Sequence, residues 1–224
     1  MNLRKMLETI RAYRAGAPLG DVVVLKLDAL SSPPKGIGEK LALVRGYAPS
    51  HDLAALRALP AGTFGREYAR FLDANGIEPL VISAAVRERF RDNPFALRYT
   101  TTHDLHHVLT DFDTGLAGEA GNFAFSVGQG AAPGTGATLW LARILYSILS
   151  PSQASTIWHN IRVGRELGEH AALLIAQPIE SFFAEPLAQV RAKLGIPEPG
   201  AAGVLPSGIS ILGDVLYKRK APAR

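Results

Sequence analysis

Residues 95–127 read FALRYTTTHDLHHVLTDFDTGLAGEAGNFAFSV. Two helix-length patterns, 95–110 and 116–127, flank a polar, glycine-bearing break, and no strand-like alternation interrupts them. Three of the chain's six histidines, His103, His106 and His107, fall in the first pattern, and a lone Glu119 stands in the second. At about 100° per residue, His103 and His107 lie one turn apart on the same helical face and can aim two imidazoles at one point. Asp104 falls about 60° from His107, and His106 projects to the other side of His103, where it orients a ligand or faces solvent. On one unbroken helix Glu119 would sit roughly 120° around from His107. It joins the cluster only if the chain turns first, and Thr114-Gly115 with Gly118 supplies that turn. The spacing predicts two consecutive helices meeting at a divalent cation held by His103, Asp104, His107 and Glu119, a mixed nitrogen and oxygen donor set. Asp111, one turn beyond His107 on nearly the same face, is a rival ligand.

The distribution of charge bears on this. The chain carries 24 Lys and Arg against 20 Asp and Glu, a net +4, with a pI near 9.5. Yet no Lys or Arg occurs between Arg98 and Arg143, where the acids are Asp104, Asp111, Asp113 and Glu119. Carboxylates without a cation nearby in sequence either face water or share a metal. An isolated H-x-x-x-H pair is commonly two ordinary polar helix residues; the added acids and the missing cations favour the metal.

With 224 residues, 47% of them hydrophobic, the chain can bury a sizeable core in one domain, drawn here as residues 1–199. No cysteine is present, which excludes disulfides, thiolate metal sites and thiol nucleophiles. Residues 200–224 read as a Gly- and Pro-containing basic arm ending in Lys218, Arg219, Lys220 and Arg224. Those cations lack interleaved aromatics, so nucleic acid is not an expected partner. The first residues lack the uninterrupted apolar segment of a secretory signal. The longest charge-free run, between Glu119 and Arg143, is broken by Gly128, Gly130, Pro133, Gly134 and Gly136, so no spanning helix is expected and the compartment reads as cytoplasmic.

Elsewhere, helical patterns follow one another over 38–45, 52–58, 64–74, 81–90, 137–149, 152–175 and 179–194, with short Gly, Pro and Asn punctuation. The fold class is therefore all-α, a single-domain helical bundle with short loops. Residues 22–30 suit a helix or a strand. Leu3, Met6, Leu7 and Ile10 form an apolar stripe among Arg4, Lys5, Arg11 and Arg14, either docked on the core or also touching an anionic membrane. His159 and His170 read as polar residues of a long helix, with a fifth-ligand role as the alternative.

The chain resembles the coenzyme Q (ubiquinone) biosynthesis family of the Coq-four type, whose hallmark H-D-x-x-H is followed eleven residues later by Glu. Here that is His103-Asp104-x-x-His107-x11-Glu119. The resemblance extends to Leu59-Pro-Ala-Gly-Thr-Phe-Gly-Arg-Glu-Tyr68, to Phe71-Leu-Asp-Ala-Asn-Gly76, to Arg98-Tyr99, and to Pro186-Leu187, Val190-Arg191 and Leu194-Gly195-Ile196, over roughly residues 50 to 197. Two stretches depart from the family pattern, Ala120-Gly121-Asn122 and Pro178-Ile179-Glu180. The resemblance implies an all-helical, metal-binding protein peripherally associated with the inner membrane of a bacterium. It implies action on a polyprenylated hydroxybenzoate at ring carbon one, as an oxidative decarboxylase, and a role in organising other quinone biosynthesis proteins, with a homodimer as the assembly. His103, Asp104, His107 and Glu119 would be both its metal ligands and its catalytic centre.

The donor set suits zinc first, with iron, manganese or magnesium as alternatives. Zinc has no redox chemistry, so activation of oxygen by the cation itself would point to iron or manganese. A prenyl tail needs an apolar groove, for which Phe123, Phe125, Leu139, Trp140, Ile144 and Leu145 are candidate walls. Two other functions fit parts of the sequence. One is a non-catalytic scaffold binding a prenyl lipid. The other is an HD-type metal-dependent phosphohydrolase, suggested by His103-Asp104 and by the upstream His51-Asp52.

Overall fold

A computed structural model describes residues 2–30, 33–132 and 136–208. Along these the chain forms α1 (Leu3–Arg14), α2 (Leu19–Leu30), α3 (Ile37–Lys40), α4 (Leu53–Ala58), α5 (Phe64–Asn75), α6 (Ala84–Arg89), α7 (Phe95–Thr110), α8 (Leu116–Gly128), α9 (Gly136–Leu149), α10 (Ala154–His170), α11 (Leu187–Leu194) and α12 (Pro199–Ala202). Single 3-10 turns occupy Ala42–Val44, Pro151–Gln153, Leu174–Ala176 and Ile179–Phe182. No strand occurs among the described residues; an isolated antiparallel bridge joins Thr63 to Pro186. The all-α reading holds, and residues 22–30 belong to a helix. No helix among the described residues is long and apolar enough to cross a membrane.

Three predicted helices are cut short, each for a local reason. The 152–175 pattern ends at His170, where Ala171 turns to extended backbone and Ala172 N–H donates to Leu194 O at 2.8 Å. The carbonyls of Ile175 and Gln177 instead receive N–H groups of Arg98. The 179–194 pattern splits because Pro186 has no N–H to continue a helix, so α11 begins after it. The 81–90 pattern starts late because Ser83 N–H donates to Asp21 Oδ1 at 2.8 Å while the Ser83 hydroxyl caps α6.

α7 is the central element. Phe64, Tyr68 and Leu72 of α5, Leu105 and Leu109 of α7, Phe125 of α8, Val163 of α10 and Val190 of α11 share one core. Two arginines fix α7 at its ends. Arg98 is fully buried and pairs with Glu180 through both guanidinium nitrogens, one contact at 3.1 Å, while donating to Gln177 O at 2.7 Å. Arg191 on α11 donates to Val108 O and Leu109 O, both at 2.9 Å, satisfying carbonyls the helix end leaves unpaired. α8 packs on α10 backbone to backbone: a Cβ on Gly164 would lie 2.1 Å from Gly121 O, and one on Gly168 would lie 2.2 Å from Phe125 O. Gly121 thus admits α10, and Glu180 neutralises Arg98.

α1 docks with unexpected polarity. Its buried side chain is Thr9, whereas Leu3, Leu7, Ile10 and Tyr13 are exposed, so the apolar stripe faces away from the core. Lys5 pairs with Asp28 and Glu8 with Arg89, which holds the polar side inward. The helix is docked, as expected, but through its polar side and not through the apolar stripe. The arm is bonded to the helices as far as residue 208: Asn160 Nδ2 donates to Leu205 O at 2.8 Å, and Ser207 N–H donates to Asp113 Oδ2 at 2.6 Å. Lys218, Arg219, Lys220 and Arg224 lie outside the described residues.

Candidate metal centre

The chain reverses between α7 and α8 through residues 111–115. Asp111 takes left-handed backbone (φ 64°) as the cap of α7, and its N–H donates to His107 O at 2.8 Å. Asp113 Oδ1 accepts from Gly115 N–H at 2.9 Å, which steers the chain into α8. The predicted turn is present, but Gly118 lies within α8 and not in the turn itself. A Cβ there would meet Asp113 O at 2.1 Å, so the turn packs against that glycine.

This reversal swings Glu119 onto the two imidazoles. His103 Nε2 and His107 Nε2 are 3.3 Å apart, Glu119 Oε2 is 3.5 Å from the first and Glu119 Oε1 is 3.5 Å from the second. His107 Nδ1–H donates to Phe112 O at 2.8 Å, since a carbonyl only accepts. That bond leaves the His107 Nε2 lone pair facing the other donors, the arrangement typical of a metal-ligating imidazole. Four ligands placed tetrahedrally at 2.0–2.1 Å from a cation are separated by about 3.3–3.4 Å. The separation of the two imidazole nitrogens matches that edge, and each faces one oxygen of the Glu119 carboxylate, so the three groups surround a common point; two imidazoles and one carboxylate can hold a divalent transition metal with one position left open. The fit is thus good for a cation bound by His103, His107 and Glu119.

Asp104 is not in that triad; its carboxylate lines an adjoining cavity with His51 and Tyr68. Burial pushes it up from the usual carboxylate range, against the opposing pull of His103 and His107. The rival ligand Asp111 is exposed at the cap, and Asp113 is bound to Ser207 and Gly115, so of the four acids only Glu119 meets the imidazoles, while Asp104 interacts with them through its charge. His106 neither orients a ligand nor faces solvent. Its ring is 1% exposed, set edge-on to Phe125, and held neutral by burial first and then by the charges of His103, His107 and Arg98. His159 and His170 bond the carbonyls of Gly203 and Glu166 and lie outside the triad. His51 packs against Tyr68 and Phe183, and Asp52 caps α4 by accepting from Ala54 N–H at 2.9 Å, so His51-Asp52 does not extend the centre. The six proposed wall residues do not form one groove: Phe125 and Leu139 are buried, while Trp140 and Leu145 are exposed.

Sequence reasoning missed the groups that hold the centre in place. The Phe112 carbonyl, the Phe71 ring stacked 5.7 Å from that of His107, and the two arginines at the ends of α7 were not candidates. Phe71, Arg98 and Arg191 left a trace in the blocks that carry the family resemblance, and Arg98 also as the last cation before the acidic stretch.

In the metal-free protein the triad carries its own charge pairing. Burial works to lower His103, but Glu119 outweighs it and raises His103 above 6.5. Burial works to raise Glu119, but hydrogen bonds from both histidines bring it down to about 2. A raised histidine stabilises below its ordinary value and loses that contribution as pH rises through the folded one; a lowered carboxylate stabilises above its ordinary value and loses it as pH falls through the folded one. The window in which both act runs from the usual 4.5 of Glu119 to the usual 6.5 of His103. Glu119→Gln is therefore expected to lower the metal-free melting temperature most between those two values, near about pH 5.5, and less as pH rises through the raised His103 value. The partial exposure of both side chains limits the loss to about 1 kcal/mol. Melting curves across pH check this, and an equal loss at both ends would contradict it.

Comparison with known proteins bears on the same residues. A family model described as coenzyme Q (ubiquinone) biosynthesis protein Coq4 matches residues 47–200. The zebrafish (Danio rerio) mitochondrial ubiquinone biosynthesis protein COQ4 homolog is 31% identical over 192 residues, 82% of this chain and 68% of its own. The Xenopus tropicalis homolog is 37% identical over 109 residues, 46% of this chain and 38% of its own. The crystal structure of a putative ubiquinone biosynthesis protein from Nostoc punctiforme shares the fold, with a TM-score of 0.60 at 23% identity over 88% of this chain and 97% of that one. With its H-D-x-x-H and Glu119 inside the matched region, the chain belongs to the Coq4 family of coenzyme Q (ubiquinone) biosynthesis proteins.

Proposed function

We propose that this protein is a metal-dependent decarboxylase of quinone biosynthesis, acting at ring carbon one of a polyprenylated hydroxybenzoate. The observation that carries the reading is the convergence of two imidazoles and one carboxylate at 3.3–3.5 Å in a member of this family. His103, His107 and Glu119 would hold the cation, and zinc suits that donor set. A bound divalent cation supplies Lewis acidity toward a carboxylate or phenolate oxygen. The chain's own groups do the rest. The Phe112 carbonyl fixes the His107 ring, and Asp104 is an acceptor beside the centre, able to take a hydrogen bond from a hydroxyl on the ring. Release of carbon dioxide with replacement of the carboxylate by a hydroxyl is a two-electron oxidation, so an external oxidant such as dioxygen takes part.

The test is mass spectrometry of a short-chain prenylated 4-hydroxybenzoate after incubation with protein loaded with zinc, iron(II) or manganese(II) under air. Loss of the carboxylate with gain of one ring oxygen is expected with at least one metal and not with Glu119→Gln. Unchanged substrate with every metal would contradict catalysis and leave the scaffold reading.

The reading includes a peripheral lipid contact through α1. Its outward Leu3, Leu7 and Ile10 adjoin exposed Arg4, Arg11 and Arg14, which form no salt bridge among the described residues. Co-sedimentation with anionic vesicles is expected and should fall at least about tenfold in Leu7→Glu/Ile10→Glu, since two charges replace the inserted groups. Equal co-sedimentation of the variant would remove α1 from the contact. α9 exposes Trp140, Leu141, Leu145 and Ile148, the face on which a homodimer or a partner enzyme would dock.

A further inference from the structure

α8 begins without a cap of its own. Its N-cap position is Gly115, which has no side chain to offer, and its first turn, residues 116–119, carries a second glycine at 118. The first N–H groups of a helix have no partner within it, and glycine is a poor helix former, so such a turn opens readily unless something outside completes it. Glu119 is the last residue of that turn.

The completing group comes from 89 residues away: Ser207 Oγ accepts from Gly118 N–H at 2.9 Å. The same hydroxyl donates to Asp113 Oδ1 at 2.5 Å, and Ser207 N–H donates to Asp113 Oδ2 at 2.6 Å. Asp113 Oδ1 also accepts from Gly115 N–H at 2.9 Å, and a carboxylate at this end of a helix is favoured by the helix dipole. Ser207 thus stands where an N-cap side chain would be. A Cβ on Gly115 would lie 2.4 Å from Ser207 Cβ and 2.6 Å from its Oγ, so there is room for one of the two and not for both.

Ser207 belongs to a strap, residues 203–208, that forms no helix and is bonded along its length. His159 Nε2 donates to Gly203 O at 2.7 Å, Leu205 exchanges bonds of 2.8 and 3.0 Å with the Asn160 amide, and Gly208 N–H donates to Gln153 Oε1 at 2.7 Å. Asn160 is fully buried and also donates to Ala117 O at 3.2 Å, in the first turn of α8. The strap is therefore tied both to α10 and to the turn that carries Glu119. It lies beyond residues 47–200, the part matched by the family model.

We infer that this strap is a positioning element of the metal centre: Ser207 caps α8 from outside and so fixes the turn that brings Glu119 to His103 and His107. The inference rests on the metal centre proposed above and deepens it. Ser207 and Asp113 are positioning residues, since they bond the backbone of the turn and not the three donor side chains.

Amide hydrogen exchange of the full-length metal-free protein, resolved by residue with NMR, tests the cap without any metal. Loss of an N-cap hydroxyl shifts the opening of a helix end by about fivefold, so Ser207→Ala is expected to speed exchange at Gly118 and Glu119 about fivefold and to leave the middle of α10 unchanged. Cobalt(II) titration of full-length variants reads the consequence for the centre. Ser207→Pro removes the N–H as well as the hydroxyl, so all three bonds of Ser207 are lost and cobalt binding should weaken at least about tenfold. Ser83→Ala, which removes the side-chain cap of α6, is the control and should bind cobalt as the parent does. Melting curves verify that each variant folds. Parent-like exchange in Ser207→Ala, parent-like cobalt binding in Ser207→Pro, or equal weakening in Ser83→Ala would overturn the inference. A parent that takes up no cobalt would sink the metal centre itself, a failure told apart from failure of the cap because exchange is read without metal.

Discussion

Arg98→Met is expected to be the most destabilising single substitution in the α7 region, costing roughly 3–5 kcal/mol. Arg98 is 0% exposed, and its guanidinium meets the Glu180 carboxylate and the carbonyls of Ile175 and Gln177. Removing it strands Glu180, itself 6% exposed, without a counter-charge and leaves two carbonyls without donors. For a chain of this length the loss corresponds to a fall in melting temperature on the order of 10 °C. The double variant Arg98→Met/Glu180→Met should recover part of it, because both charges leave together. Thermal denaturation of the single and double variants measures both effects. A single variant within 1–2 °C of the parent would mean that this pair does not anchor α7.

The second large effect is on the metal. His107→Ala removes the most enclosed ligand, 1% exposed in its side chain and oriented by Phe112 O. Loss of an outer partner of a metal ligand typically costs 10–100-fold in affinity, so loss of the ligand itself should cost at least about 100-fold. Metal that binds only the folded state raises the melting temperature in proportion to RT ln(1 + [L]/Kd), so zinc should stabilise the parent and not this variant. In cells, His107→Ala should abolish quinone production while the protein remains folded. Normal quinone levels with metal binding lost would transfer the function from catalysis to scaffolding.

The limits of α7 were legible because local chemistry sets them, with Pro94 before it and a left-handed Asp111 after it. Legible too was the convergence of His103, His107 and Glu119, since helical spacing pairs the histidines and the glycine-bearing break returns the acid. Asp104 and His106 were harder. α7 is buried on nearly all sides, from Phe95 through Thr110, so angular position does not separate a solvent face from a core face. His106 therefore ended against Phe125, and Asp104 beside Tyr68. The end of 152–175 depended on contacts remote in sequence, Ala172 with Leu194 and Arg98 with Ile175 and Gln177, which no window of periodicity contains, whereas the proline that splits 179–194 stands in the sequence itself. The outward stripe of α1 is legible as amphipathic, but which side docks is decided by Asp28 and Arg89, residues remote from it in sequence.

The central claim is that His103, His107 and Glu119 hold one divalent cation at an open four-coordinate position. Titration of the metal-free protein with cobalt(II), followed by visible absorption, tests it most directly. The account predicts saturation at one equivalent, the intense visible bands of a tetrahedral site, displacement by zinc, and no such spectrum in Glu119→Gln. Absence of saturable binding, or a spectrum unchanged in Glu119→Gln, would contradict it.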